Sequence, residues 1–115
     1  MIYGTDYYPE HWPKERWAID IELMAEAGIN TIRIAEFAWT LMEPAESAYD
    51  FAWLDEVVSL AAKHNIKTVM CTPTAAPPKW LMDKHPEIYQ KDEHGHVRGF
   101  GSRRHYCFNS AIFTE

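Results

Sequence analysis

The chain has 115 residues, which is the size of one domain and leaves no room for two. Apolar residues make up 47% and charged residues 24%, a globular composition without the polarity of a disordered segment. A net charge of −6 repels a phosphate backbone, and no run of Lys or Arg offers a nucleic-acid footprint. No apolar stretch approaches the ~20 residues that span a bilayer. Neither the charged nor the apolar part of a signal peptide is visible, and Cys71 and Cys107 are too few for a disulfide framework. The expectation is a soluble, cytoplasmic protein with no nucleic-acid or membrane partner.

The order of predicted elements is strand, helix, strand, helix, strand, helix. Ile2 to Thr5 reads as a short strand leading into the aromatic turn Asp6-Tyr7-Tyr8-Pro9-Glu10-His11-Trp12. Pro13 suits the first turn of a helix, where its missing N–H costs nothing. Trp17, Ile21 and Met24 recur at helical spacing, with Leu23 and Ala27 widening the stripe. Gly28 closes that helix as a left-handed cap. Thr31-Ile32-Arg33-Ile34-Ala35 is β-branched and apolar apart from Arg33, the pattern of a strand buried on both faces in a parallel sheet.

Glu36 to Tyr49 reads as a loop. Asp50 is placed to cap a helix whose stripe is Leu54, Val57, Val58 and Ala61 and which ends at Asn65. Lys67 to Thr72 is the third strand. Pro77 and Pro78 start a short helix through Leu81 and Met82 that Pro86 stops. Asp92-Glu93-His94-Gly95 is a tight turn, and Ser110 is placed to cap one last turn of helix. Repeated βα units imply a parallel sheet with right-handed crossovers. The fold class is α/β, with residues 1–115 as the N-terminal portion, about three βα units, of a TIM (β/α)8 barrel. A small open α/β sheet is disfavoured by the lack of a Gly-rich phosphate turn after the first strand.

In such a barrel chemistry sits at the C-terminal strand ends. Those ends are Asp6-Tyr7-Tyr8, Glu36-Phe37-Ala38-Trp39 and Thr72-Pro73-Thr74, a mixture of carboxylates, hydroxyls and rings that suits a polyhydroxylated ligand better than an anion. Glycoside hydrolysis needs two carboxyl groups, ~5–5.5 Å apart for retention and ~6.5–9.5 Å for inversion. Glu10, Glu36 and Glu43 lie nearest the strand ends. Glu43, before Pro44, reads as a residue holding its loop, and Glu36 is open to pairing with Arg33 or with Arg103. No catalytic pair is assigned.

The segment Gly99-Phe100-Gly101-Ser102-Arg103-Arg104-His105-Tyr106-Cys107 is the densest in chemistry. If it is extended, Arg103 and Arg104 point opposite ways, and His105 and Cys107 share a face. An inward Arg offers a fork of donors to a sugar hydroxyl or a carboxylate; a surface ion pair is the other reading. Cys107 has the chemistry of a zinc ligand, but two cysteines do not complete a structural zinc site.

The blocks Asp6-Tyr7-Tyr8-Pro9-Glu10-His11-Trp12 and Arg33-Ile34-Ala35-Glu36-Phe37-Ala38-Trp39 resemble the opening of the family 42 glycoside hydrolases, the β-galactosidases. Glu43-Pro44, Tyr49 to Asp55, Thr72 to Leu81 and Gly101 to Cys107 match the next blocks in order. The resemblance implies a (β/α)8 catalytic domain that removes terminal non-reducing β-D-galactose with retention of configuration. It places Arg103 against the substrate and makes Cys107 a ligand in those members that hold a structural zinc. In the family the other zinc cysteines, the Asn-Glu acid/base pair and the nucleophilic glutamate lie further along. No catalytic residue is therefore assigned to this chain, and the chain alone is expected to be inactive. Family members often trimerise, so a homotrimer is the implied assembly of the complete protein. Two other readings are a barrel glycosidase of different sugar specificity and a non-catalytic fragment that binds carbohydrate or a partner.

Overall fold

The structure, a computed structural model, describes residues 1–113. Its elements run β1 (Gly4–Asp6), α1 (Lys14–Glu26), β2 (Thr31–Ile34), α2 (Trp39–Met42), α3 (Ala52–Lys63), β3 (Lys67–Met70) and α4 (Lys79–Lys84). Single 3-10 turns cover Pro9–His11, Pro86–Ile88 and Ala111–Phe113. The chain divides into two compact units, Met1–Glu36 with Asp50–Thr72, and Phe37–Tyr49 with Pro73 onward.

The first unit is a parallel sheet of order β1-β2-β3, with Gly4 beside Thr31 beside Lys67 and Asp6 beside Arg33 beside Val69. Each crossover adds its strand on the same side, which places α1 and α3 together on one face, where they pack on each other. Ile32 and Ile34 lie fully buried with Ile21, Val57 and Ala61. Burying each Ile contributes roughly 1.5–3 kcal/mol. Arg33, between the two isoleucines in sequence, points to the opposite face by the two-residue period of a strand. The buried β2 agrees with its apolar reading, whereas Val69 and Met70 of β3 are about half exposed.

Gly28 takes φ +80°, the left-handed cap expected there, and Asn65, expected only to end its helix, is left-handed too at φ +58°. Other boundaries move. β1 begins at Gly4 because its ladder partner β2 begins at Thr31, and Ile2 and Tyr3 stay exposed. β3 closes at Met70. Cys71 N–H still donates to the Ile34 carbonyl at 3.0 Å, and Pro73, without an N–H, cannot continue the ladder. Leu23 lies outside the buried stripe of α1, 53% exposed. Asp50 Oδ1 accepts the Ala52 N–H at 3.0 Å, but from one position outside the cap, which Phe51 occupies.

The second unit has its own core of Leu81, Met82, Ile88 and Tyr106, with Trp39, Trp80 and Phe113 packed against it. α2 forms inside the stretch read as a loop; one turn of helix is too short to show a period. Antiparallel bridges Tyr89–Tyr106 and Lys91–Val97 hold the polar excursion. At its tip Asp92 Oδ1 accepts the N–H groups of His94 and His96 at 2.9 and 2.8 Å, the tight turn expected there. After Ser110 the chain makes a single 3-10 turn, with the Phe113 N–H on the Ser110 carbonyl. Among the described residues no helix is long and apolar enough to cross a membrane.

Candidate functional site

The C-terminal ends of the three strands are tied by one side chain. Arg33 Nε donates to Cys71 Sγ at 3.0 Å, its Nη1 lies 3.7 Å from Asp6 Oδ1, and its Nη2 pairs with Glu36 Oε2. The sulfur contact, and after it the Glu36 carboxylate, hold the guanidinium pKa above its ordinary value. Tyr8 Oη stands 3.5 Å from Glu36 Oε2, a long contact. Glu36, open in sequence between two arginines, is thus the partner of Arg33. The part played by Cys71 has no local signal, because strand register brings it there from 38 residues away.

Glu43 is buried and used up. Its Oε2 accepts the Trp39 indole N–H at 2.8 Å, its Oε1 the Ser47 N–H at 2.9 Å, and its carbonyl the Trp80 indole N–H at 2.9 Å. It holds the loop, as its place before Pro44 suggested. Glu10 is the opposite case. Both of its carboxyl oxygens are shielded from solvent without a hydrogen-bond partner among the described residues. Burial raises its pKa, while its own N–H and His11 oppose the rise. Neither arrangement makes an acid/base pair.

Arg103 and Arg104 do not alternate along an extended chain. Residues 101–104 turn, with Gly101 at φ +98° and Arg104 at φ +53°, and the Arg104 N–H anchors the turn on the Ala75 carbonyl at 3.1 Å. Arg103 then lies across the Phe37 ring, its guanidinium carbon 4.4 Å from the ring centre. With Phe37, Thr40, Phe100 and His105 it lines a cleft of about 200 Å³. A guanidinium held over a ring keeps its N–H groups free for other partners, and at the lining of this cleft that is chemistry for hydroxyl or carboxylate oxygens. The Phe37 platform comes from another loop of the same unit and was not legible beforehand.

His105 and Cys107 do not share a face either. His105 is buried, with Nδ1 on the Ser102 carbonyl and the rings of Tyr89, Phe100 and Tyr106 around it. Its Nε2 is shielded and has no partner among the described residues. Cys107 is exposed, while its N–H donates to the Ile88 carbonyl at 2.7 Å beside the Tyr89–Tyr106 bridge. Among the described residues no three His, Cys, Asp or Glu side chains gather as a metal site. Cys107 is a single accessible thiol, and no set of further ligands gathers around it among the described residues.

The comparisons agree with one another. A family 42 glycoside hydrolase model, described as beta-galactosidase, matches residues 6–115. The chain is 53% identical to a beta-galactosidase of Thermus thermophilus over 97% of its length, which covers 17% of that protein. The solved beta-galactosidase of the Antarctic haloarchaeon Halorubrum lacusprofundi superposes with a TM-score of 0.93 at 52% identity, covering 99% of this chain and 17% of that one. The beta-galactosidase of Bacillus circulans sp. alkalophilus gives 0.92 at 35% identity, covering 98% and 17%. The chain thus spans about a sixth of the length of the relatives it matches.

Proposed function

The chain belongs to glycoside hydrolase family 42, the β-galactosidases, and from that premise we propose that it is the opening part of a retaining β-galactosidase acting on terminal non-reducing β-D-galactose. Its three parallel βα units are the first of the family's (β/α)8 barrel. One observation carries the reading: the family match runs unbroken from the end of β1 through the Arg103 turn, so the cleft under Arg103 belongs to the matched region.

In this reading Arg103 holds a galactose hydroxyl with its N–H fork, and the Phe37 ring fixes the plane of that fork. Arg33 holds Glu36 and Asp6 at the strand ends, keeping the charge at the catalytic mouth in place. Retention requires two carboxyl groups, one attacking the anomeric carbon and one protonating the leaving oxygen and then acting as base toward water. Glu10, Glu36 and Glu43 take neither role, and both groups are assigned to the remainder of the complete protein. Cys107 is proposed as one thiolate of a structural zinc whose other ligands lie outside residues 1–113, and the complete protein is proposed to be a homotrimer.

The test is a panel of nitrophenyl glycosides on the complete protein, with the product anomer followed by NMR. Preference for the β-galactoside with β-galactose formed first is expected. Preference for another sugar, or inversion, overturns the reading. The relatives, at 42–54% identity, are named as β-galactosidases, which favours catalysis over a sugar-binding fragment.

A further inference from the structure

α2 separates two clefts of the second unit. Thr40 lines the Arg103 cleft, and Trp39 lines another of about 430 Å³ bounded by α2, the loop that follows it and α4. We propose that this second cleft binds a neutral saccharide, at a site separate from the one beneath Arg103.

Its size lies within the ~300–1,000 Å³ of small-ligand sites and suits one or two pyranose rings. Its walls are aromatic, with Trp39, Trp80, Tyr49 and Phe113 among the lining residues. The two indoles are locked in place. Glu43 accepts the Trp39 N–H through its carboxylate and the Trp80 N–H through its carbonyl, and Phe113 stands edge-on to Trp39 at 5.7 Å. Their polar edges are spent inside the protein, so what they bring to a ligand is flat apolar surface already in position, the surface that the C–H faces of a pyranose need.

Leu81 and Ile112 add apolar surface, and the rest of the lining, Glu43, Glu46, Ser47 and His85, is polar with two carboxylates. Glu46 supplies a carboxylate able to accept two hydroxyl groups, steadied by Lys84 Nζ at 2.6 Å. His85 has Nδ1 3.0 Å from Glu87 Oε1, which leaves Nε2 for a ligand hydroxyl, and Ser47 adds a hydroxyl. With Glu43 and Glu46 in the lining, a phosphate or a sugar acid meets repulsion. A wholly apolar ligand strips water from Glu46 and His85 without replacing its hydrogen bonds. A neutral polyol with apolar faces satisfies both halves of the lining.

The proposal rests on the galactosidase reading only for the other binding event, at the Arg103 cleft, and is tested by binding together with hydrolysis. The complete protein is titrated calorimetrically with a sulfur-linked, non-hydrolysable lactose analogue. Two binding events per protomer are expected. Glu46→Gln and His85→Gln, each conservative in shape, should weaken one event by about tenfold or more and leave the other in place. Hydrolysis of nitrophenyl β-galactoside by both variants should stay within about twofold of the parent protein. A single event per protomer overturns the site, as do two events indifferent to both substitutions or glucuronate binding as tightly as the neutral sugar. Absence of galactosidase activity in the parent protein, with both binding events present and one of them weakened by the substitutions, counts against the proposed function and leaves this site standing.

Discussion

Arg103 is stacked on Phe37, its guanidinium carbon 4.4 Å from the ring centre, in the unit that also contains the turn carrying it. The pair makes a planar fork of donors with a fixed orientation, which a Lys ammonium at the same place cannot reproduce. In the complete protein Arg103→Ala should lose about 1.5–3 kcal/mol of transition-state binding, roughly ten- to over a hundred-fold in kcat/KM for a galactoside. Phe37→Leu, which removes the platform and spares the cation, should lose only about 0.5–1 kcal/mol. Steady-state kinetics decide it, and near-normal kcat/KM for Arg103→Ala sinks the substrate-contact role.

The exposed thiol of Cys107 makes a prediction that metal analysis can check. The complete protein should contain zinc, and Cys107→Ala should lower both its zinc content and its melting temperature, since a structural zinc contributes folding energy directly. An unchanged melting curve in a zinc-loaded parent refutes the ligand role.

Glu10 sets a pH dependence whose sign follows from its burial. The carboxyl pKa in the folded state is raised above its ordinary 4.5, so the folded state holds the proton more tightly than the unfolded state does. The associated stability is present below 4.5 and is lost as pH rises through the folded value. Glu10→Gln cannot ionise, so at neutral pH it should melt higher than the parent, with the gap closing in acid. Thermal scans across acid to neutral pH are the measurement, and a variant that melts lower at neutral pH contradicts the unpaired, shielded carboxylate.

Gly4 pairs with Thr31 in the β1–β2 ladder. A Cβ there falls 2.7 Å from the Thr31 carbonyl oxygen, closer than real Cβ contacts allow, and that oxygen is backbone. Gly4→Ala should therefore force β1 away from β2 and cost about 1–3 kcal/mol. Denaturant unfolding of the complete protein tests this, and an unshifted midpoint shows that the two strands can slide apart without cost.

Much of this protein is determined by sequence alone, and those parts are the local ones. The apolar run of β2, the left-handed stop at Gly28, the helix end at Asn65, the turn at Asp92 and the loop-holding place of Glu43 before Pro44 each depend on backbone preference or periodicity within a few residues. The ordered blocks from Asp6 to Cys107 carry the family in the same way, because they are read one after another along the chain. The tertiary structure alone decided that Arg33 grips Cys71 and Glu36, that Arg103 lies on Phe37, that His105 is enclosed while Cys107 faces outward, and that α2 interrupts a loop. Those outcomes join residues far apart in sequence, or depend on a single turn that overrides alternation. Strand register and packing select such partners, and neither leaves a trace in the spacing of neighbouring residues.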